Sequence, residues 1–278
     1  MKRPLIASVA SVVLGAGALV GVTGGTAGAA EAPKATPNFN GIVALSNCSG
    51  SVIKVPDSQP DDPALVLSNG HCLEEGMPGP DEVVVDQPSS RSFTLLNDDA
   101  SEAGTLTATK VAYGTMTSTD MSVYETDSTY AELEEQYSIT PLEVQAEAPE
   151  AGGGIHVVSG YWQKVYSCKA DGFAHQLKEA DWTFDNSMRY TEECDTIGGT
   201  SGSPVVDDAT GKVVGVNNTS NEDGEECTMN NPCEVDENGE VTIHQGIGYA
   251  QQTHKLVGCV AEGNKIDLDK EGCELPKP

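Results

Sequence analysis

The run Asp195–Pro204 reads D-T-I-G-G-T-S-G-S-P and continues directly into a pair of valines. Ser201 therefore lies in a glycine-rich turn that opens into a β-favouring segment. Glycine tolerates the backbone angles that such a turn requires, so the amides around Gly199 and Ser201 can point at one spot. Gly202 leaves room for another backbone to approach. Alone, a turn of this kind is more often structural than chemical, and two further segments decide its meaning.

These two segments carry the side chains that a nucleophilic serine needs. Leu67–Cys72 reads L-S-N-G-H-C and places His71 after a strand-like run, and Ser118–Val123 reads S-T-D-M-S-V and places Asp120 before another. A serine hydroxyl needs a neighbouring base, which imidazole supplies near neutral pH. A buried carboxylate fixes the tautomer of that imidazole, and two amides can stabilise a developing oxyanion. Singly the segments are weak signals, whereas their order along the chain is specific.

Short β-favouring runs separated by Pro, Gly, Asp and Asn dominate the chain. Their spacing of about ten residues predicts an all-β sandwich or barrel. Tyr130–Tyr137 and Gln251–Val260 have helical composition. The predicted strands are Gly41–Val55, Ala64–Leu67, Val83–Val85, Phe93–Leu96, Thr105–Val111, Ser122–Glu125, Ile155–Val158, Lys164–Cys168, Thr183–Phe184, Ser203–Val206, Val213–Asn217, Val241–Ile243 and Gly246–Ala250.

Two irregular stretches interrupt this pattern. Gln145–Gly154 reads Q-A-E-A-P-E-A-G-G-G and has the composition of a linker. It divides the chain into halves of about 110 residues, each long enough for a small barrel. Asn221–Glu240 holds eight acids, two cysteines and no basic residue. This acidic insertion is most typical of a solvated surface segment.

The charge of the chain excludes several classes of partner. With 15 Lys+Arg and 43 Asp+Glu the formal net charge is −28, which repels nucleic-acid phosphates and anionic membrane surfaces. Residues 1–30 combine two cations, an apolar run and the small-residue ending Ala27–Ala29, a pattern typical of a secretory signal peptide. An uncleaved membrane anchor is the alternative. Cleavage leaves a net charge of −30 and predicts a secreted, extracellular protein that is free of membranes.

The cysteines of the mature chain favour disulfide bonds. There are eight, an even number in an exported chain. Zinc is the competing interpretation, but no pair has C-x-x-C spacing, and only His71 adjoins a cysteine. Composition alone leaves on the order of a hundred pairings open. The cysteines are Cys48, Cys72, Cys168, Cys194, Cys227, Cys233, Cys259 and Cys273.

Taken together, the segments around His71, Asp120 and Ser201 resemble those of trypsin/chymotrypsin-like serine endopeptidases. More narrowly, the chain is similar to the secreted bacterial branch that includes the glutamyl endopeptidases. The Gly-Tyr pair after Val157-Val158 and the Gly246–Tyr249 strand are also similar, so the resemblance covers roughly residues 40–260.

The resemblance implies two antiparallel six-stranded β-barrels, with a short C-terminal helix or tail. We expect a signal peptide at 1–30, an N-terminal segment at 31–39, the first barrel at 40–148, the second at 149–262 and a tail at 263–278. The catalytic residues would lie in the cleft between the barrels.

The same resemblance implies a function and assigns roles. His71 is the general base, Asp120 its orienting carboxylate and Ser201 the nucleophile, and the amides of Gly199 and Ser201 form the oxyanion hole. The implied activity is hydrolysis of protein or peptide substrates through an acyl-enzyme, by a monomer without metal or other cofactor. The alternative is an inactive pseudo-protease that serves as an extracellular binding module. Calcium at Asp267, Asp269 and Glu271 is a minor alternative, because such alternating charge is usually just solvated.

A disulfide pairing follows. The resemblance places a bridge between Cys48 and Cys72 beside the histidine. We expect Cys168–Cys194 within the second barrel, before the nucleophile turn. Elimination and proximity then leave Cys227–Cys233 in the acidic insertion and Cys259–Cys273 in the tail.

The chain also departs from the family pattern. Thr200 precedes the serine where animal trypsins carry an aspartate, and no I-V-G-G start is present, so we do not expect activation through a new N-terminal ion pair. Asn218 occupies the position of a serine that supports the aspartate, and an amide would have to replace it.

The specificity pocket gives conflicting signs. Asp195 stands where trypsins place the carboxylate that receives Arg or Lys, and a carboxylate there favours a cationic side chain. The pair Asp195-Thr196 also resembles glutamyl endopeptidases, but Asn217 replaces the histidine that those enzymes use. Cleavage after Arg or Lys, with Asp195 as the reason, is the favoured hypothesis. Acidic and neutral or broad preferences stay open.

Overall fold

The strands of the protein form two sheets, one from each half of the chain. The structure is a computed structural model and describes residues 37–278. The predicted signal peptide lies outside the described residues, as does most of the predicted segment 31–39. The first sheet contains β1 (Ile42–Ala44), β2 (Ser49–Lys54), β3 (Pro63–Ser68), β4 (Val83–Pro88), β5 (Ser92–Leu96), β6 (Glu102–Thr115), β7 (Met121–Thr129) and β8 (Leu142–Glu143).

Six strands of this sheet close into a barrel. The order β1-β5-β6-β7-β3-β2 is antiparallel throughout and closes because β1 also pairs with β2. Outside the ring, β4 pairs with β6 and β8 pairs in parallel with β2. Closure removes the exposed strand edges of the ring.

The second sheet repeats this arrangement. Its strands are β9 (Gly154–Ser159), β10 (Lys164–Glu179), β11 (Trp182–Tyr190), β12 (Pro204–Asp207), β13 (Val213–Ser220), β14 (Cys233–Val235), β15 (Val241–Thr242) and β16 (Gly248–Gln252). The order β11-β16-β13-β12-β9-β10 returns on itself through the pairing of β10 with β11, and β14 and β15 extend it from β10. The fold is therefore the predicted double β-barrel.

Strands β2 and β3 are buried on both faces, and nearly all of their side chains are accordingly small or apolar. Because side chains alternate along a strand, Val52 and Val66 fill the interior of the first barrel, while Ile53 and Leu65 point the other way. The outward set packs against side chains of β13 and of the C-terminal segment, such as Val216. Burial of each large aliphatic side chain contributes about 1.5–3 kcal/mol, so this cluster joins the two barrels.

The helices are few and short within residues 37–278. The predicted helix at Tyr130–Tyr137 is present as α1, and Thr129 and Glu132 form a capping box at its start. The second predicted helix is shorter than expected: β16 continues to Gln252, and α2 covers only His254–Val257. Two 3₁₀ helices lie at Gly70–Cys72 and Glu262–Asn264. Among these helices, none has the length and apolar character needed to cross a membrane.

The four disulfides of the structure are the predicted pairs. Cys48–Cys72 lies in the first barrel and Cys168–Cys194 in the second. Cys227–Cys233 ties the acidic insertion and Cys259–Cys273 the C-terminal segment. Since all eight cysteines are paired, the zinc interpretation loses its thiolate ligands. In the tail, Asp269 pairs with Lys277, and Asp267 accepts the amide of Asp269.

Candidate functional site

His71 and Asp120 are joined by two hydrogen bonds. His71 lies in the 3₁₀ helix that follows β3, and Asp120 immediately precedes β7. The His71 amide donates to Oδ1 of Asp120 at 3.0 Å, and Nδ1 of the ring lies 2.6 Å from Oδ2. Because a carboxylate only accepts, Nδ1 carries the proton, and Nε2 is left as the basic nitrogen of the neutral ring.

The chain between these residues is held close by small groups and buried bonds. The side-chain nitrogen Nδ2 of Asn69 donates to the backbone oxygen of Asp120 at 2.9 Å. The Ser122 hydroxyl donates to the backbone oxygen of Asn69 at 2.7 Å. A Cβ on Gly70 would lie 2.1 Å from the Thr115 carbonyl oxygen. Glycine is therefore needed immediately before the histidine.

The surroundings of His71 favour its protonated form. Burial of the ring opposes protonation, but the charge of Asp120 and its hydrogen bond outweigh burial, and the charge of Glu179 acts in the same direction. The pKa of His71 is therefore raised above its usual value. A raised pKa suits a base that must hold a proton during a reaction and then release it.

The turn around Ser201 is anchored to the first barrel. The Ser49 amide donates to the Ser201 carbonyl oxygen at 2.8 Å, and the Ser49 hydroxyl donates to that of Gly199 at 3.1 Å. Gly202 has φ +81°, and a Cβ there would lie 2.1 Å from the Ser49 oxygen and 2.3 Å from Oγ of Ser68. Only glycine fits this close approach of the two barrels.

The Ser201 hydroxyl forms its hydrogen bond with a residue other than the histidine. It donates to the backbone oxygen of Asn218 at 3.1 Å, and within residues 37–278 it makes no hydrogen bond to His71. Ser201, His71 and Asp120 nevertheless line the same cavity. Of the three residues assigned to a triad, only His71 and Asp120 are hydrogen-bonded to each other here, and the Ser201 hydroxyl would have to turn toward Nε2 of His71 to join them.

The two amides assigned to an oxyanion hole have no acceptor within the described chain. Neither Gly199 N nor Ser201 N donates a hydrogen bond among residues 37–278. The carbonyl groups beside them are occupied, because Trp162 Nε1 donates to the Gly198 oxygen at 2.8 Å. The turn therefore presents free N–H groups, as stabilisation of an oxyanion requires. Trp162 was not anticipated from the sequence.

Thr200 organises the turn without any ion pair. Its hydroxyl donates to the backbone oxygen of Ile197 at 2.5 Å and accepts from the side-chain NH₂ group of Asn217 at 3.1 Å. The Asn217 oxygen in turn accepts the Tyr190 hydroxyl at 3.1 Å. All of these hydrogen bonds join uncharged groups, so neighbouring side chains hold the turn together without a carboxylate.

The expected support of Asp120 by Asn218 is wrong. Nδ2 of Asn218 is buried and makes no hydrogen bond within the described residues, and both oxygens of Asp120 are engaged by His71. Asn218 instead contributes its backbone oxygen, which accepts the Ser201 hydroxyl. Main-chain position, rather than the amide side chain, gives this residue its contact with the site.

The predicted specificity residues separate into two groups. Thr196 and Asn217 are buried and line the cavity that holds Ser201. Asp195 is exposed and does not line that cavity. Its expected place at the base of a pocket is therefore incorrect, because the chain turns between Cys194 and Thr196 so that the cysteine and threonine point inward and the aspartate outward.

A carboxylate that the sequence did not single out lines the cavity in place of Asp195. Glu179, the last residue of β10, lines it together with Glu222 and Asn230 of the acidic insertion. Burial raises the pKa of Glu179. This rise is opposed by hydrogen bonds from the Asn230 backbone N–H and the Thr219 hydroxyl, and by the charge of His71. The insertion thus forms one wall of the site and is more than a solvated surface segment.

More than half of the chain matches a known protein family. The sequence profile described as "Trypsin-like peptidase domain" matches residues 48–216. Comparison with curated proteins gives no match.

Solved structures give matches of low sequence identity. The chain is similar to the MamO protease domain from Magnetospirillum magneticum, with 12% identity, a TM-score of 0.49 and coverage of 81% of this chain and 97% of that one. A Glu endopeptidase in complex with MPD has 18% identity, a TM-score of 0.43 and coverage of 77% and 85%. The protease Anisep from Arthrobacter nicotinovorans has 14% identity, a TM-score of 0.45 and coverage of 79% and 92%.

Proposed function

The chain belongs to the trypsin-like peptidase family, and from this premise we propose that it is a secreted serine endopeptidase with His71, Asp120 and Ser201 as its catalytic triad. The single observation that carries the proposal is the Asp120 carboxylate, which accepts both the amide and the ring N–H of His71. These two hydrogen bonds leave Nε2 of His71 as the base, in the cavity that also contains Ser201.

The proposed reaction uses these groups in sequence. The Ser201 hydroxyl leaves the Asn218 oxygen and turns to Nε2 of His71, which takes its proton as Oγ attacks the peptide carbonyl carbon. The amides of Gly199 and Ser201 donate to the resulting oxyanion. His71 then gives the proton to the leaving amine, and an acyl-enzyme forms. His71 then removes a proton from a water that attacks the acyl carbon, and it returns this proton to Oγ of Ser201 as the acyl-enzyme bond breaks.

Asp120 contributes through its charge and its geometry. It holds the ring with Nδ1 protonated, and it stabilises the imidazolium that forms when Ser201 loses its proton. Because Asp120 is fully buried, solvent does not weaken this interaction. Binding of a peptide would also bring its carbonyl oxygen to the free amides of the turn.

Secretion is supported by two independent features. Four disulfides are typical of oxidising compartments, and residues 1–30 have the pattern of a cleaved signal peptide. We propose barrels at 40–148 and 149–262 and a tail at 263–278 for the mature chain. Intact-mass measurement of protein from the culture medium tests the leader, because retention of residues 1–30 would contradict this assignment.

The hydrogen bond between Ser201 and Asn218 favours one second candidate, a catalytically inactive binding module on the same fold. A fluorophosphonate probe separates the two, since it labels only serines that a base activates. The wild type should be labelled, Ser201→Ala should not, and Ser90→Ala, which removes an exposed serine outside the cavity, should behave as wild type. Absence of label from a correctly disulfide-bonded wild type would favour the binding module.

A further inference from the structure

Glu179 is a buried carboxylate for which the proposed mechanism has no use. Its exposed fraction is 7%, and its Oε1 accepts a hydrogen bond from the backbone N–H of Asn230 at 2.7 Å. No Lys or Arg forms an ion pair with it in the part of the chain that the structure describes. A buried carboxylate costs free energy unless it is hydrogen-bonded and paired with a cation, so its cationic partner is missing from the described chain.

The walls of the cavity fit a long cationic side chain. Carboxylates of Asp120, Glu179 and Glu222 line it, and the only basic group among its lining residues is His71. Apolar side chains complete the lining, among them Met116, Trp182 and Met229. Lys and Arg bury an aliphatic stem against apolar surface and present a charged end, and Trp also attracts cations to its ring face.

The acidic insertion is built to hold this wall in place. Asn221 is fully buried, and its amide nitrogen donates to the carbonyl oxygens of Glu225 and Pro232 at 3.0 and 2.9 Å. The Ala180 amide donates to the Cys227 oxygen at 2.8 Å, which attaches the insertion to the end of β10. The amide that holds Glu179 therefore comes from an ordered segment.

The side-chain nitrogen of another lining residue has no acceptor among the described residues. Asn218 has an exposed fraction of 3%, and its Nδ2 makes no hydrogen bond among residues 37–278. A carboxylate without a cationic partner and an amide nitrogen without an acceptor thus belong to residues that line one cavity.

We propose that Glu179 is a specificity-determining residue that binds a Lys or Arg side chain of the substrate peptide in the cavity beside His71. The inference names the substrate class of the active site and so rests on the proposed function. It keeps the cationic preference considered for Asp195 but assigns it to a different carboxylate. Glu222, at the exposed edge of the same cavity, adds to the attraction.

Binding to a cleavage-incompetent chain tests this inference directly. In Ser201→Ala, peptides with Lys, norleucine or Glu at each position around the scissile bond are compared by calorimetry. At one position, Lys should bind about 10–100-fold more tightly than norleucine, the gain expected of a hydrogen bond to a charged group. Adding Glu179→Gln should reduce this ratio to below about 3-fold.

The matched control is Asp181→Asn, which removes an exposed carboxylate two residues away that does not line the cavity. It should leave the ratio of Lys to norleucine unchanged. A ratio that survives Glu179→Gln, or that is lost in Asp195→Asn instead, would overturn the inference. Thermal unfolding of each variant checks that the fold is retained.

The same peptides, given to the enzyme with Ser201 intact, separate the two proposals. Cleavage and fluorophosphonate labelling without any dependence of the Lys preference on Glu179 would leave the proposed function standing and refute the inference. Absence of cleavage and labelling, with a Lys preference that needs Glu179, would refute the proposed function and support Glu179 as the cation site of a binding module.

Discussion

Replacement of Asp120 by Asn tests the proposed triad most sharply, because it changes charge and hydrogen-bonding while keeping shape. Asp120 accepts two hydrogen bonds from His71, one at each oxygen. Asparagine offers one oxygen and one NH₂ group. If its oxygen faces the His71 amide, its NH₂ forces Nδ1 to act as acceptor, and Nε2 then carries a proton and cannot take one from Ser201.

The alternative orientation is also unfavourable. With the Asn oxygen at Nδ1, its NH₂ opposes the amide N–H of His71, and a buried donor without an acceptor costs about 1–3 kcal/mol. The imidazolium also loses a hydrogen bond to a charged group, worth about 1.5–3 kcal/mol. The two effects together amount to about 2.5–6 kcal/mol, which corresponds to roughly 10²–10⁴-fold in kcat.

Peptide hydrolysis measured against pH provides the assay. Because the base must be neutral, wild-type activity should rise as the pH increases through the raised pKa of His71. Asp120→Asn should lower kcat by the stated factor and move this acid limb to lower pH, since the charge that raises the pKa is gone. Asp61→Asn, at an exposed position, should match the wild type. A kcat of Asp120→Asn within about tenfold of the wild type would refute the reasoning.

Three further predictions concern stability. Gly202→Ala should destabilise the fold more than Gly239→Ala in urea unfolding, because both have φ near +80° but only Gly202 meets backbone within 3 Å; equal losses would contradict the close approach. Loops of 24 and 6 residues predict losses of about 3.5 kcal/mol for Cys48→Ser/Cys72→Ser and about 2 kcal/mol for Cys227→Ser/Cys233→Ser, and the reverse order would be inconsistent with loop closure. Because the pKa of Glu179 is higher in the folded than in the unfolded chain, its stabilising contribution is full below the unfolded-state pKa and is lost as the pH rises through the folded-state pKa. Glu179→Gln should therefore be more stable than the wild type at about pH 7 but not at about pH 4. An equal effect of the substitution at the two pH values would contradict this prediction.

The fold was predictable where the sequence is locally consistent. Strand β3 is apolar at nearly every position because both of its faces are buried, and such a run is recognisable. Strand β10 was predicted only at Lys164–Cys168, although it continues to Glu179. Its second half pairs with β11, and only Ala174, Leu177 and Glu179 of that half are buried. Pairing with a partner strand, rather than its own apolar pattern, gives that half its structure.

The site was predictable where one short segment determines the geometry. His71 and Asp120 each follow or precede a strand, and the pairing of β3 with β7 brings those ends together. Asp195 was misplaced because its distance along the chain from Ser201 says nothing about the direction of its side chain. Glu179 was missed because its role depends on Asn230, which is 51 residues away, and no local motif marks that contact.

The negative charge of this protein would act on a cationic peptide at two distances. Exposed acids attract it from solution, but salt screens that attraction beyond about 8 Å at physiological ionic strength. Glu179, with an exposed fraction of 7%, is screened far less and acts only on a side chain that enters the cavity. The surface acids therefore affect the rate of encounter with any cationic peptide, whereas Glu179 discriminates among peptides already bound. The burial of Glu179 without a cationic partner lowers the stability of the free protein, and a bound Lys or Arg would offset this cost. Glu179→Gln should therefore gain stability and lose peptide selectivity.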